Sequence, residues 1–401
     1  MKFCSSTFAL PAFALFAAAV DGNDVTHDVA CEMSPLPVGN HPDQLAPGGK
    51  NGMVQPLPSG QQSGVGAQGD GVCTLTGLYV NGTDVSHCKT IIVDSLQVPP
   101  GVTLDLTNVT DGAHIEFHGT STFGPKSWEG PLVRLTGKNL TVTGPGTLDG
   151  QGAWYWPHGK NFTRPAFFRL NRVANTVVSG FTIVNTPTRT FSVLATNYTT
   201  ISDITIDSRA GNGLAKETDG FVLSRNNHLT ITRNIVYNHG DCLGMQSSAN
   251  TVFSHNVCNG GRGISIGSIG GASQNFSTTV DGLLVEHNTI ENSANGLRIK
   301  ALVDLKGLVT NVMYVNNTLV NVGNAIAIRA DFDRSLGGYS DHPTSLVAIT
   351  NILIDGLYGS AETLYDILAN PDFISGLELT NINVHATNVG NCTGAPSNVQ
   401  C

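Results

Sequence analysis

Short runs of β-branched and aliphatic residues recur along most of the chain, and this repetition restricts its fold more than any other feature. Leu-Thr-Val-Thr (140–143), Leu-Thr-Ile-Thr (229–232) and Leu-Leu-Val (283–285) are typical runs. An asparagine followed by alternating apolar residues recurs at Asn234, Asn256, Asn288, Asn317, Asn351 and Asn381. These positions lie roughly 22 to 35 residues apart, a period typical of solenoids. No helical periodicity of useful length interrupts the runs.

The repetition predicts an all-β chain folded as a parallel β-helix. In this fold each coil lays two or three strands on the previous coil, so that apolar side chains stack inward. Asn and Gly are expected at the corners between strands, where the backbone adopts the left-handed conformation. The composition agrees, since the chain has 46 glycines and only 13% charged residues, against about a quarter in ordinary proteins. A β-sandwich or a propeller is the alternative, but either would show hairpin dipeptides and a more regular repeat.

The first 72 residues differ in composition from the rest of the chain. Residues 1–20 have the features of a secretory signal peptide, because a lysine precedes an apolar stretch that ends in small residues. A transmembrane anchor is the alternative, but the stretch is too short and Pro11 interrupts it. Residues 21–72 are rich in Pro, Gly, Gln and Ser and predict a disordered linker or pro-segment, with a cell-wall tether as a second interpretation. The β-helix domain is predicted over residues 73–401.

The cysteines predict a disulfide framework. Three pairs lie close in sequence and are expected to be oxidised in a secreted protein: Cys73 with Cys88, Cys242 with Cys258, and Cys392 with Cys401. Cys4 lies in the signal peptide, and Cys31 is left over. No C-x-x-C pair is present, which disfavours a structural zinc site. We expect neither a metal nor an organic cofactor.

Glycosylation sequons and net charge restrict the partners. In a secreted protein, Asn-x-Ser/Thr sequons mark expected surface positions. They occur at Asn81, Asn108, Asn139, Asn161, Asn197, Asn275, Asn316 and Asn391. The formal net charge of −9 disfavours nucleic acids and anionic membranes as partners. A polyanionic ligand would therefore require basic residues concentrated in one cleft.

Four segments with charged residues follow one another about one coil apart. They read Glu-Thr-Asp-Gly (217–220), His-Gly-Asp-Cys (239–242), Gly-Gly-Arg-Gly (260–263) and Arg-Ile-Lys (298–300). In a β-helix, residues at equal phase of successive coils line up on one face, so we expect these segments to form one column on a cleft wall. Glu217 and Asp219 are two residues apart and would point the same way on a strand.

The order and spacing of these segments resemble the polygalacturonases of glycoside hydrolase family 28. The corresponding family segments read Asn-Thr-Asp-Gly, Asp-Asp-Cys, Gly-His-Gly and Arg-Ile-Lys, and residues 146–156 are similar to a further family element. The resemblance covers residues 73–401 and implies a right-handed parallel β-helix. It also implies inverting hydrolysis of α-1,4-galacturonan, in which a carboxylic acid protonates the leaving oxygen and a carboxylate activates water.

Carried over by position, the resemblance gives roles to five residues. Asp219 and Asp241 match carboxylates on the water-activating side. Gly240 stands at the position of the proton donor, and loss of a general acid typically lowers a rate by about 10²–10⁴. Arg298 and Lys300 match the basic residues that bind the galacturonate carboxylate, as a guanidinium fork and a point charge would.

Two further departures from the family pattern carry opposite charges. Arg262 replaces the family histidine, and Glu217 replaces an asparagine. We expect Glu217 and Arg262 to form an ion pair across coils, on the surface where the sugar would bind. The alternative is that Glu217 is a substitute proton donor. His239 is interpreted as a bystander. Two other departures are Val222, where the family often has an aspartate, and Asn324, at the position of a substrate-facing tyrosine.

Two function classes remain open from the sequence. The first is a secreted, catalytically impaired homologue that binds pectin or acts as a decoy for polygalacturonase-inhibiting proteins. The second is an active hydrolase of homogalacturonan or a modified pectin. Loss of the carboxylate at Gly240 favours the first class, whereas retention of Asp219, Asp241, Arg298 and Lys300 keeps the second class open. The protein is expected to be a monomer.

Overall fold

A computed structural model describes residues 66–68, 71–159, 162–399 and 401, with the side chains of residues 66–68 left out. The predicted signal peptide, Cys31, Asn161 and most of the predicted linker lie outside the described residues. The first described strand, Gly66–Gln68, falls within the segment assigned to the linker and pairs with Val72–Leu78. The β structure therefore begins several residues before the predicted boundary at 73.

The described chain forms one continuous sheet of 28 strands, wound as a right-handed parallel β-helix. All pairings are parallel except those of β1 with β2 and β25 with β26. The fold class predicted from the sequence is confirmed. The first fourteen strands are β1 (Gly66–Gln68), β2 (Val72–Leu78), β3 (Thr90–Val98), β4 (Leu104–Leu106), β5 (His114–His118), β6 (Thr120–Phe123), β7 (Val133–Lys138), β8 (Thr141–Thr143), β9 (Thr147–Asp149), β10 (Phe168–Ser179), β11 (Thr182–Val184), β12 (Phe191–Leu194), β13 (Asn197–Ser202) and β14 (Thr205–Asp207).

The second half of the chain continues the same coil. Its strands are β15 (Phe221–Ser224), β16 (Asn226–Thr232), β17 (Ile235–Tyr237), β18 (Leu243–Met245), β19 (Ser248–Ser254), β20 (Val257–Asn259), β21 (Ile264–Ile269), β22 (Thr279–Glu286), β23 (Thr289–Glu291), β24 (Asn295–Leu302), β25 (Lys306–Asp333), β26 (Gly338–Tyr339), β27 (Leu346–Leu368) and β28 (Ile374–Thr393). Among the described residues, helical structure is limited to α1 (Gly152–Tyr155) and the 3₁₀ turns Trp156–His158, Arg209–Gly211 and Phe276–Thr278. None of the described helices is long and apolar enough to cross a membrane.

Stacked aromatic and aliphatic side chains fill the interior of the coil. Alternate residues of each strand point inward, so residues at the same register in successive coils lie on one another. Phe168, Phe191 and Phe221 form such a stack, with ring centroids 5.5 and 5.3 Å apart. All three rings are fully buried. Phe221, the last ring of this stack, directly follows residues 217–220 in sequence.

The recurring asparagines form a buried ladder, and this corrects their predicted place at left-handed corners. The backbone amides of Asn234, Asn256 and Asn288 each donate to the side-chain oxygen of the asparagine one coil further on, at 2.9–3.1 Å. The left-handed positions are taken by the residues just before them, such as Arg233 and His255. A buried amide side chain can satisfy backbone groups of the neighbouring coil, which an exposed corner residue cannot do. Asn351 and Asn381, near the end of the chain, do adopt the left-handed conformation as expected.

The three predicted disulfides are present. Cys73 is joined to Cys88, Cys242 to Cys258 and Cys392 to Cys401. Cys242 directly follows Asp241 and is buried, so its bridge to β20 fixes the segment that carries this carboxylate. The seven sequon asparagines that the structure describes are all exposed.

Candidate functional site

The first three charged segments lie at equal phase on successive coils, as the sequence predicted, whereas 298–300 lies on the next coil opposite 265–267 rather than opposite 260–263. The register runs from Val222 on β15 through Gly244 on β18 and Ser265 on β21 to Arg298 on β24. Backbone hydrogen bonds join the segments just before these strands, from the Gly220 amide to the Asp241 carbonyl at 2.9 Å and from the Cys242 amide to the Gly263 carbonyl at 2.9 Å. We call the face formed by residues 217–220, 239–242, 260–263 and 298–300 the charged column.

Glu217 and Asp219 lie in an irregular loop rather than on a strand, so the expected strand geometry was wrong. Glu217 has a left-handed backbone with φ of 59°, and β15 begins only at Phe221. Both carboxylates nevertheless line one cleft of about 270 Å³. Its other lining residues are Phe162, Arg164, Thr188 and Arg189.

Asp241 is held by a buried ion pair. The Arg298 guanidinium contacts Oδ1 of Asp241 through Nη2 and donates from Nε to Ser265 Oγ at 3.0 Å. Ser265 Oγ in turn donates to the same Asp241 oxygen at 3.1 Å. Only 8% of Asp241 and 7% of Arg298 are exposed. Because water solvates neither charge well, each is stabilised by the other. The Nε and Nη2 atoms of Arg298 therefore donate their hydrogen bonds within the protein.

The Asp219 side chain contacts the backbone of the next coil. Its Oδ1 accepts a hydrogen bond from the Asp241 amide at 2.8 Å. Burial, followed by repulsion from the Asp241 carboxylate, raises the pKa of Asp219 to about 7. The column thus carries one carboxyl group that takes up a proton near neutral pH, beside a second carboxyl group paired with arginine.

Gly240 allows this close approach of the two coils. A Cβ atom at position 240 would lie 2.1 Å from Asp219 Oδ1 and 2.8 Å from the Asp219 backbone nitrogen. Both distances are shorter than a carbon atom tolerates, so the carboxyl group of Asp219 fills the space where a side chain at 240 would begin. The structure has no carboxyl group at the position that the resemblance gives to the proton donor.

Glu217 and Arg262 form the ion pair that the sequence analysis expected. The Arg262 guanidinium donates from Nη1 to Glu217 Oε2 at 3.1 Å and from Nη2 to Oε1. Burial opposes the charge of Glu217, but the hydrogen bonds and charge of Arg262 outweigh it and lower the pKa of this carboxyl group. Glu217 is therefore ionised at neutral pH, which disfavours the alternative that it is a substitute proton donor.

Lys300 is the least compensated cation of the column. It is 9% exposed, and its Nζ lies 4.7 Å from the centre of the Phe332 ring. Within the part of the chain that the structure describes, its ammonium group has no hydrogen-bond acceptor or carboxylate partner. Burial, followed by repulsion from Arg298, lowers the pKa of Lys300. A bound anion would remove this imbalance.

Several residues near the site were missed by sequence reasoning. Ser265 bridges Arg298 and Asp241, as described above, and a single serine in a strand gives no signal of that role. Arg329 contacts Asp331 and Asp366 at 2.7 and 2.8 Å and lies over the Tyr339 ring. The alternation of Arg329 with Asp331 on β25 is the sequence signal that could have indicated these contacts.

The remaining predicted residues have structural contacts. His239 Nε2 lies 2.8 Å from the Asn212 side-chain oxygen, and its backbone amide donates to Thr218 Oγ1. The Asn324 side chain donates to the Asn295 side-chain oxygen at 3.2 Å. Val222 lies in the register of the column between Ser192 and Gly244 and adds no charge there.

Sequence comparisons identify relatives that match most of the chain. Residues 88–401 match the family model described as Glycosyl hydrolases family 28. Endopolygalacturonase I of Aspergillus aculeatus is 38% identical over 328 residues, which are 79% of this chain and 85% of that protein. An endo-polygalacturonase of Sclerotinia sclerotiorum is 37% identical over 328 residues, which are 79% of this chain and 84% of that protein.

A comparison of structures agrees with the sequence relatives. Endopolygalacturonase I from Stereum purpureum, solved with two galacturonates, has a TM-score of 0.60 and 26% identity, over 76% of this chain and 96% of that chain. An endo-xylogalacturonan hydrolase from Aspergillus tubingensis shares the fold with a TM-score of 0.70 at 22% identity, over 82% of this chain and 98% of that chain. Together with the family match over residues 88–401, these similarities show that the chain is a member of glycoside hydrolase family 28.

Proposed function

We propose that the protein binds the galacturonan of pectin and hydrolyses it very slowly or not at all. The observation that carries this proposal is the geometry at Gly240, where the Asp219 carboxyl group fills the space of the missing side chain. An inverting hydrolase needs a positioned acid for the leaving oxygen and a carboxylate across the cleft for water. Asp219 and Asp241 both lie on the side that the resemblance assigns to water activation.

Retention of the basic residues supports galacturonan as the ligand. Lys300 presents a nearly buried ammonium group without a direct hydrogen-bond acceptor or ion-pair partner among the described residues, and a galacturonate carboxylate could supply one. Arg298 holds Ser265 and Asp241 through Nε and Nη2 and also lies beside the Tyr339 hydroxyl, so it supports the ligand mainly through its positive charge. Relatives of this chain are endopolygalacturonases, and one was solved with two galacturonates bound.

The Glu217–Arg262 pair further opposes hydrolysis. It replaces a neutral side chain and an imidazole with two permanent charges on the cleft surface. Glu217 carries a negative charge near Asp219 in the cleft, where a polyanionic substrate would have to enter. Arg262 donates to Glu217 and cannot accept a proton at neutral pH.

An active hydrolase is the second candidate, and the protonation of Asp219 favours it. Asp219 holds a proton below about pH 7 and Asp241 beside it is paired with Arg298, so the two carboxyl groups lie in different environments, as the acid and the base of a catalytic pair do. The difficulty is placement, because the Asp241 backbone amide donates directly to Asp219 and the two residues share one side of the cleft. Proton donation would need a substrate oxygen on that same side.

An extracellular location fits both candidates. The N-terminal sequence predicts a signal peptide, the three disulfides require an oxidising compartment, and the seven described sequon asparagines are accessible for glycosylation. A decoy for polygalacturonase-inhibiting proteins remains a variant of the first candidate. This variant requires that the chain binds such an inhibiting protein. The Glu217→Asn, Arg262→His double substitution should then change the affinity for that protein.

Reducing-sugar release from polygalacturonate tests the proposal. We expect the wild-type protein to be at least about 10²-fold slower than a Glu217→Asn, Gly240→Asp, Arg262→His variant that thermal unfolding shows to be folded, as loss of a general acid predicts. Asp241→Asn in the variant background is the control, because it should abolish the recovered activity. Wild-type activity equal to that of the variant, and lost in Asp219→Asn, would establish the active alternative.

A further inference from the structure

The loop that leads into the charged column carries an asparagine–glycine dipeptide beside a histidine. Asn212 and Gly213 follow the 3₁₀ turn Arg209–Gly211 and precede residues 217–220, and both are exposed. The Asn212 side-chain oxygen lies 2.8 Å from His239 Nε2. An amide oxygen can only accept a hydrogen bond, so the imidazole Nε2 carries a proton in this contact and donates it to Asn212.

The backbone nitrogen after Asn212 is open to reaction. Among the described residues, the Gly213 amide has no hydrogen-bond acceptor. A Cβ atom at Gly213 would have no heavy atom within 4 Å, and the residue has a φ of 81°, a conformation that glycine adopts without strain. This nitrogen is therefore shielded neither by a hydrogen bond nor by a side chain of its own residue.

An asparagine followed by glycine can lose its side-chain amide without any other reagent than water. The Gly213 nitrogen attacks Cγ of Asn212, and negative charge develops on the former amide oxygen. Ammonia then leaves, taking up the proton that the Gly213 nitrogen releases, and a succinimide ring closes. Water opens either ring carbonyl and gives aspartate or isoaspartate at position 212. One amide and one water thus become one carboxylate and one ammonium ion.

His239 donates to the atom on which the negative charge develops. A hydrogen-bond donor placed on such an oxygen before the reaction lowers the barrier. The imidazole is held in position by Thr218, whose Oγ1 accepts from the His239 backbone amide at 2.8 Å and lies 3.4 Å from His239 Nδ1. Burial lowers the pKa of His239, so at neutral pH the ring donates from Nε2 as a neutral imidazole.

We propose that Asn212 is a site of spontaneous deamidation and that His239 accelerates the reaction as a donor to the oxyanion. This inference concerns a modification of the chain and does not depend on galacturonan binding. Its product adds a negative charge opposite His239. Isoaspartate also lengthens the main chain between β14 and Glu217 by one carbon atom. Deamidation is therefore expected to produce a second, more acidic form of the protein with an altered loop beside the cleft.

The other Asn-Gly dipeptides within the described residues lack this combination. Gly260, after Asn259, donates its amide to the Glu291 carbonyl at 3.0 Å. Asn295 is buried within β24. Asn81 is exposed and precedes a glycine, but no described residue donates to its side-chain oxygen. Asn81 also begins a sequon, and a glycan would block its amide nitrogen.

Peptide mapping by mass spectrometry after incubation in heavy-oxygen water at neutral pH tests the inference. Thr83→Ala removes the sequon at Asn81, so that Asn81 and Asn212 can both react in the same molecule and Asn81 is the internal control. We expect heavy oxygen to enter residue 212 at least about tenfold faster than residue 81, as one hydrogen bond to a developing charge predicts. In the same background, His239→Leu should slow the reaction at 212 about tenfold and leave the reaction at 81 unchanged.

The two comparisons test the site and the role of His239 separately. A rate at Asn212 equal to or below the rate at Asn81 would overturn the site, because the contact with His239 would then protect the amide. An unchanged rate at Asn212 in the His239→Leu variant would overturn the role of His239. Thermal unfolding shows whether this variant is folded. If it is not folded, the ratio of the two sites in the Thr83→Ala protein still decides the proposal.

Discussion

The side chains of Glu217 and Arg262 are 45 residues apart in sequence and meet through two hydrogen bonds between coils of the β-helix. Both residues depart from the family pattern, and their charges are complementary. An ion pair with 42% and 36% exposed side chains contributes modestly, about 0.2–1 kcal/mol, because solvent screens it. Its effect on ligand entry into the cleft is therefore more important than its effect on stability.

A double-mutant cycle should detect this pair. Glu217→Gln and Arg262→Gln are each expected to lower the free energy of unfolding, and the double variant should lose less than the sum by about 0.2–1 kcal/mol. Urea unfolding followed by intrinsic fluorescence provides the measurement. Additive effects within error would show that the two charges are not coupled in solution.

Asp219 should give the protein an unusual pH dependence of stability. Its carboxyl pKa is raised from an ordinary value of 3.8 to about 7 in the folded state, so the folded protein binds more protons than the unfolded chain between these values. The contribution of Asp219 to stability is therefore full below about pH 4, falls as pH rises, and is lost above about pH 7. Asp219→Asn should remove this slope and raise the free energy of unfolding relative to wild type at pH 8 more than at pH 5.

The control for this experiment is Asp372→Asn, which removes an exposed carboxylate far along the chain. It should leave the pH slope of the wild-type protein unchanged. A wild-type and an Asp219→Asn curve that run parallel between pH 4 and pH 8 would contradict the assignment of a raised pKa to Asp219.

Lys300→Met should stabilise the protein and weaken ligand binding. The substitution removes a nearly buried charge and keeps a side chain of similar length against Phe332. We expect a thermal midpoint equal to or above that of wild type, together with a loss of trigalacturonate affinity of about tenfold or more. Calorimetry and thermal unfolding on the same preparation measure both. A destabilised variant with unchanged affinity would assign Lys300 a structural role instead.

Loss of one rung of the asparagine ladder should be costly. Asn256 accepts from the backbone and side chain of Asn234 and donates to the Ile231 carbonyl and to Asn288. Asn256→Ala leaves several buried groups without partners, each costing about 1–3 kcal/mol, so we expect a loss of at least about 2 kcal/mol in the free energy of unfolding. The exposed Asn383→Ala is the matched control and should lose less than about 0.5 kcal/mol.

The coil architecture, the disulfide pairs and the charged column could be predicted because each depends on repetition or on spacing along the chain. The position of Asn234 and Asn256 could not, since an asparagine suits both a left-handed corner and a buried ladder until the hydrogen-bond partners are known. Similarly, Glu217 has a left-handed backbone conformation that its sequence does not indicate.

Contacts between residues from distant coils were also beyond the sequence. Ser265, Arg298 and Asp241 form one network only because three coils align in register. Arg134 and Arg169 likewise become register partners only through the alignment of coils, since they are separated by more than thirty residues in the chain. Neither arrangement has a local motif, because no short segment contains both partners.

The packing of Asp219 against Gly240 makes the loss of a side chain at 240 hard to reverse. Any residue larger than glycine at 240 meets both the carboxyl group and the backbone of Asp219, so a single reversion begins with a steric penalty before it restores chemistry. The Glu217–Arg262 pair adds a second barrier, because reverting either residue alone leaves the other charge without its partner. Several simultaneous substitutions are therefore needed before a carboxyl group at position 240 can be combined with a neutral side chain at 217 and an imidazole at 262.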